Sequence, residues 1–136
     1  MISARRRINF YDCDPAGILF YANIFRMCHS AYEKLVTTFS LKKNYWQNDD
    51  FAVPIIKTTA DYLKPFKSGD EISIEVTVSE LRESSFELTY KCSNQSNAVC
   101  AVVKTVHVFV DKQTWKKTTL IPEIVAGLKS HQIKSD

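Results

Sequence analysis

The stretch from Ala22 to Ser40 carries more apolar residues on one side than a minimal surface helix needs. Ile24, Cys28, Ala31, Leu35 and Phe39 follow the helical period, flanked by Met27, Tyr32 and Val36. Plotted at about 100° per residue, this arc covers about half of the circumference. Asn23, Arg26, Ser30, Glu33, Lys34 and Thr37 fill the opposite side. A helix this apolar needs a partner that bends around it, and the rest of the chain reads as strands.

Glu71 to Leu81 alternates strictly through Ile72, Ile74, Val76 and Val78, with Leu81 out of phase. After a turn at Arg82 to Ser84, Phe86, Leu88, Tyr90 and Cys92 repeat the pattern, and Asn94 to Asn97 forms a second turn. Ala98 to Asp111 is a long β-branched run with Val102, Val106, Val108 and Val110 on one side. Pro54 to Leu63 reads as an earlier strand, ended by Pro65 and the Ser68-Gly69-Asp70 turn. Trp115 to Leu120 reads as a short last strand, and Pro122 opens a closing helix to Lys129. Ser130 to Asp136 is expected to be loosely held. One strand, one long helix and several antiparallel strands give an α+β layer pair, a curved sheet around a central helix.

A chain of 136 residues suits one domain, residues 1–136, with a single core. That size leaves little room for a deep cavity, so a large ligand would draw on a second copy of the chain. The net charge of +3 is too small to announce a nucleic-acid partner. Arg5-Arg6-Arg7 leads into the apolar alternation of Ile8 and Phe10 and reads as a solvated strand end; its use on nucleic acid is the competing reading. Cys13, Cys28, Cys92 and Cys100 show no C-x-x-C or zinc spacing, and no metal or other cofactor is expected. No signal peptide or membrane-length apolar run is evident, so reduced thiols in the cytoplasm are the expectation.

The segment between the first strand and the helix carries the chemistry: Asp12-Cys13-Asp14-Pro15-Ala16-Gly17-Ile18-Leu19-Phe20-Tyr21. Two carboxylates flank a cysteine, and Pro15 and Gly17 fix the backbone path. The chain then enters a helix N-terminus, whose free N–H groups favour negative charge. Asp12 or Asp14 could simply cap the turn or the helix. Asp14, however, lies too far before Ala22 to cap it directly, and it is followed by apolar Ile18 to Tyr21. A carboxylate in an apolar setting near oriented N–H donors is what acyl transfer needs.

Asp12 to Asn23, read as D-C-D-P-A-G-I-x-F-Y-x-N, resembles the signature of the 4-hydroxybenzoyl-CoA thioesterase family of hotdog-fold enzymes. Tyr62-x-x-Pro65 with Gly69-Asp70-x-Ile72, and the run Lys104 to Asp111, are similar to that family's second strand and long later strand. The resemblance covers essentially the whole chain. It implies hydrolysis of an acyl-CoA thioester by a homodimer or homotetramer with active sites shared between subunits. It makes Asp14 the catalytic carboxylate, either attacking the thioester carbonyl or activating water. Tyr21 aligns with the residue whose backbone N–H meets the thioester oxygen. Pro15 and Gly17, with Arg82 and Phe86 at the later turn, are the implied substrate-binding residues, and Cys13 and Asp12 are structural.

The turn Leu81-Arg82-Glu83-Ser84-Ser85-Phe86 departs from the strongly basic family pattern that matches the phosphates of coenzyme A. Lys64, Lys67 and Lys104 are possible substitutes. A non-catalytic acyl-CoA or acyl-carrier-protein binding module on the same fold is the alternative function. His29, His107 and His131 sit beside no nucleophile elbow. His107 reads as a satisfied sheet histidine, His29 as a helix partner of Glu33, and Glu33 as surface charge. A dehydratase would need a histidine–acid pair in a context absent here. Tyr11, Phe20, Tyr21 and Phe25 could line an aromatic acyl pocket or belong to the core.

Overall fold

A computed structural model describes residues 2–133. β1 (Ile2–Arg7) leads through a 3-10 turn (Phe10–Asp12) to α1 (Asn23–Val36). The strands β2 (Phe51–Ala52), β3 (Ile55–Tyr62), β4 (Glu71–Leu81), β5 (Ser85–Ser93), β6 (Val99–Val108) and β7 (Val110–Asp111) follow, and α2 (Pro122–Lys129) comes last. Five strands form an antiparallel sheet in the order β1-β4-β5-β6-β3, while β2 and β7 make a separate two-stranded ribbon. The inward rows of β4 and β5 meet Ile24, Cys28, Ala31 and Leu35 of α1 in one hydrophobic cluster. This is the α+β architecture expected from the periodicities, with β1 and β3 as the free edges.

Leu81 is out of phase because the register slips between Val78 and Glu80, a bulge that lets Leu81 pair with Phe86. α1 ends at Val36 rather than Ser40. The hydroxyls of Thr37 and Thr38 donate to the Lys34 and Leu35 carbonyls at 2.6 and 2.7 Å, competing with continued helix. Phe39 stays buried against α2, where a Cβ on Gly127 would lie 2.3 Å from its ring.

Four expectations need correction. The inward face of β6 is Ala101, Val103, Thr105 and His107; Val102 and Val106 point the other way, and the run breaks before Val110–Asp111 pairs with Phe51–Ala52. Trp115–Leu120 is not a strand: it makes one bridge, Lys117 to Val110, after a turn in which the Asp111 carboxylate accepts the Gln113 and Thr114 N–H groups. Phe10 leaves the alternation because Ile8 bonds to Gly69 and Asp70 through both backbone groups and the chain then turns. Ser130–Ile133 is tied down, with Val78 N–H donating to the His131 carbonyl at 3.0 Å and Ile133 N–H to the Val78 carbonyl at 3.1 Å. Residues 134–136 of that expected loose end lie outside the described residues.

Candidate active site

The segment before α1 is a small hairpin. Cys13 and Leu19 bridge, and Asp14 N–H donates to the Ile18 carbonyl at 2.9 Å. Gly17 N–H closes the turn onto the Asp14 carbonyl at 2.9 Å. Pro15 occupies the turn position that favours its fixed φ, and Gly17 takes φ +79°, which a side chain would strain. A Cβ at Gly17 would meet nothing within 4 Å, so the glycine is there for backbone conformation rather than for space. The returning arm is pinned outside by Leu19 N–H to the Phe66 carbonyl at 2.8 Å. It is pinned inside by Phe20 N–H and the Asn23 amide, which donate to the Asp12 carbonyl at 3.0 and 2.8 Å.

The two carboxylates of this hairpin differ sharply. Asp12 is 8% exposed, and its Oδ2 accepts Arg6 Nη2 and Asn9 N–H, each at 2.8 Å. Asp14 is half-buried and spends one oxygen, Oδ1, on Ala16 N–H at 2.9 Å. Its Oδ2 has no hydrogen-bond partner among the described residues. Burial first, then Asp12, Asp14 and Asp70, push the Cys13 thiol up, which removes it as a nucleophile at neutral pH.

Asp14 opens onto a cleft of about 330 Å³ between the hairpin, the start of α1 and the end of β3. Ile18, Tyr21, Ile24, Tyr62, Lys64 and Pro65 line it with Asp14. The Tyr21 ring is 64% exposed, and no partner for its N–H occurs among the described residues. The Tyr21 carbonyl accepts the Tyr62 hydroxyl at 2.6 Å, which ties β3 to the entrance of α1. Burial above all, then Cys28 and Tyr21, pushes the Tyr62 phenol up, so it stays protonated and keeps donating.

The structure therefore brings Asp14 and Tyr21 to one cleft, with Pro15 and Gly17 shaping the turn behind Asp14. It does not bring Arg82 or Phe86 there. Arg82 is exposed and paired with Glu80. Phe86 is 1% exposed and stacks on His107 with ring centroids 4.6 Å apart, so any ligand contact of that turn falls to Arg82. Of the three lysines, Lys64 lines the cleft; Lys67 and Lys104 do not. Tyr62 is the residue whose role sequence reasoning missed, although it stood inside the Tyr62-x-x-Pro65 motif. Its hydroxyl contact crosses 41 residues, which no local pattern encodes.

The remaining candidates disperse. Tyr11 lines a separate polar cleft with Arg6, Asn23 and Arg26. Phe20 tilts against Tyr21, and Phe25 faces a second cavity further along α1. Among the described residues His29 makes no hydrogen bond or ion pair with Glu33; its ring packs edge-on against Tyr32 and tilted against Trp46. His107 is only half satisfied among the described residues: Nε2 lies 2.7 Å from the Thr105 hydroxyl, and Nδ1 has no partner there. Among the described residues no group of three or more metal-ligating side chains converges, and no helix is long and apolar enough to cross a membrane.

Residues 8–128 match the family model described as the thioesterase-like superfamily. A 1,4-dihydroxy-2-naphthoyl-CoA hydrolase of Crocosphaera subtropica is 32% identical over 130 residues, covering 93% of this chain and 95% of its own. The solved structure of a 1,4-dihydroxy-2-naphthoyl-CoA thioesterase from Synechocystis superposes with a TM-score of 0.85 at 26% identity, covering 94% and 95% of the two chains. A mutant 4-hydroxybenzoyl-CoA thioesterase, solved with 4-hydroxybenzoyl-CoA, shares the fold at a TM-score of 0.81 and 20% identity, covering 93% of this chain and 97% of its own.

Proposed function

Because the chain belongs to the thioesterase-like superfamily, we propose that it hydrolyses an aromatic acyl-CoA thioester in the cleft beside Asp14. The observation that carries this reading is the free Asp14 oxygen in a mostly apolar cleft at the start of α1. The relatives acting on 1,4-dihydroxy-2-naphthoyl-CoA make a fused, hydroxylated aromatic acyl group the first substrate to try.

In this mechanism the thioester carbonyl lies between Asp14 and the N-terminus of α1. The Tyr21 N–H donates to the carbonyl oxygen as negative charge develops there, helped by the helix dipole. Asp14 either attacks the carbonyl carbon, giving a mixed anhydride that water then opens, or takes a proton from the attacking water. Both routes release the acid and the coenzyme A thiol. Tyr62 acts through its hydrogen bond to the Tyr21 carbonyl, which orients the peptide just before α1.

The site is completed by a second copy of the chain. β3 is a sheet edge; Tyr62 and Leu63 at its end are exposed beside the cleft, and Ile55 and Ile56 are exposed at its other end. An eight-residue edge strand with apolar residues at both ends is a surface for pairing, and a two-fold partner would wall the cleft. Four cysteines without a disulfide, including Cys28 and Cys92 with sulfurs 3.9 Å apart, suit a reducing cytoplasm.

The test is thiol release from a panel of aromatic and aliphatic acyl-CoAs by wild type and Asp14→Asn. Turnover of an aromatic member that collapses in a folded Asp14→Asn protein is the expected result. No turnover of any member would favour the binding-module alternative.

A further inference from the structure

Beyond the Asp14 cleft, a second cavity of about 130 Å³ lies along the same face of α1. The first cavity takes Tyr21 and Ile24 from the helix, and the second takes Phe25, Cys28 and His29. On the sheet side, the first is lined by Tyr62 and its cross-strand partner Ala101, the second by Thr58 and its partner Thr105. Helical rise separates Tyr21 from Cys28 by about 10 Å, so the two cavities follow one another along a trough between α1 and β3.

The floor of the second cavity is not apolar throughout. Tyr90 and Thr105 line it, and their hydroxyls lie 3.1 Å apart; Thr105 in turn lies 2.7 Å from His107 Nε2. His107 is fully buried, and its Nδ1 has no partner among the described residues. Burial, then the neighbouring His29, pushes its pKa down to about 3, so the ring is neutral. One ring nitrogen therefore carries the proton. A buried N–H left without an acceptor costs more than an unused lone pair, which assigns the proton to Nε2. Nε2–H then donates to Thr105, and because Thr105 and Tyr90 can spend only one hydroxyl proton on each other, the pair lining the cavity keeps one hydroxyl proton with no acceptor among the described residues. A hydrogen-bond relay that terminates on an unspent donor beside a cavity is built for an oxygen that the protein does not supply.

We infer that the Tyr90 hydroxyl, oriented by Thr105 and His107, recognises a ring oxygen of the aromatic acyl group. This rests on the thioesterase reading for the chemistry and adds the acyl specificity. Tyr90 is a specificity residue and touches no reacting atom; His107 and Thr105 are positioning residues.

The experiment compares 1,4-dihydroxy-2-naphthoyl-CoA with 1-hydroxy-2-naphthoyl-CoA, which lacks only the remote hydroxyl, in wild type, Tyr90→Phe and Thr105→Val. Wild type is expected to favour the dihydroxy substrate in kcat/KM by about tenfold. Tyr90→Phe should bring the ratio close to one. Thr105→Val, which keeps the hydroxyl but cuts the relay, should fall in between. Calorimetric binding of the two free acids is measured on the same proteins. If wild type cleaves neither thioester but prefers the dihydroxy acid, and Tyr90→Phe loses that preference, the thioesterase reading fails and this inference stands. An equal preference in wild type and Tyr90→Phe, or no preference in wild type, overturns it whatever the activity.

Discussion

The hairpin before α1 and the turn between β4 and β5 are both short charged connections clasped by neighbouring backbone. Leu19 and Phe20 N–H groups pin the hairpin, and Phe109 and Leu120 N–H groups pin the turn through the Ser84 and Glu83 carbonyls. Their charges are handled differently. In the turn, Arg82 meets Glu80, and Glu83 accepts the Thr119 hydroxyl at 3.2 Å. In the hairpin, buried Asp12 holds Arg6 and the Asn9 N–H on one oxygen, whereas half-buried Asp14 has no cationic partner among the described residues and opens on the cleft. Rigidity is common to both connections. What separates the two connections is a carboxylate that the fold leaves without a cationic partner beside a cleft.

That contrast is broken most directly at Asp14. Asp14→Asn keeps the Oδ1 acceptor for Ala16, so the hairpin should stand while hydrolysis falls by about 10²–10⁴-fold. The check is kcat from thiol release beside an unchanged melting temperature. A comparable loss in Asp12→Asn would dissolve the distinction between the two carboxylates.

His107, whose buried Nδ1 has no partner among the described residues, is predicted to act on stability. An unfolded His107 takes its proton near its ordinary pKa of 6.5, whereas the folded one resists until about 3. Its contribution is therefore complete above pH 6.5 and is lost as the pH falls towards 3, at up to about 1.4 kcal/mol per pH unit. Urea midpoints measured between neutral and mildly acidic pH should show this slope. His107→Gln should flatten it; an equally steep slope in that variant would move its origin elsewhere.

Asp12→Asn tests the structural partner of Asp14. It weakens the Arg6 pair and the Asn9 N–H contact, and should cost about 2 kcal/mol with kcat per folded molecule nearly unchanged. Gly17→Ala forces a side chain into φ +79° and should cost about 1 kcal/mol. Because open space surrounds its Cβ, the loss should appear in denaturant midpoint rather than as misfolding.

Legibility followed the same division. β4, β5, α2 and most of α1 were readable because each alternates or repeats with the period of its own backbone. The placing of Asp14 and Tyr21 beside one cleft, and the turn at Gly17, were readable because a local turn and a helix start lie within one segment. The inward face of β6 was misread because Val102 and Val106 look more like core than Thr105 and His107, and only the opposing ring of Phe86 and the Tyr90 hydroxyl explain the choice. The end of α1 was missed because two threonines compete for its carbonyls. Tyr62 was undervalued because its partner lies on another element.

The smallest effects sharpen the comparison from the ligand side. If coenzyme A follows the cleft out past Pro65, Lys64 meets its phosphates and Arg82, held by Glu80, contributes little. Lys64→Ala should then raise KM about threefold with kcat unchanged, an effect that fades with added salt because exposed charges are screened. Arg82→Ala should change KM less than twofold and stability by under about 0.5 kcal/mol, as an exposed pair does. KM for one acyl-CoA at low and high ionic strength decides between them. A larger effect from Arg82 would mean that a second subunit carries its turn to the cleft of the first, and would make the two connections halves of one site.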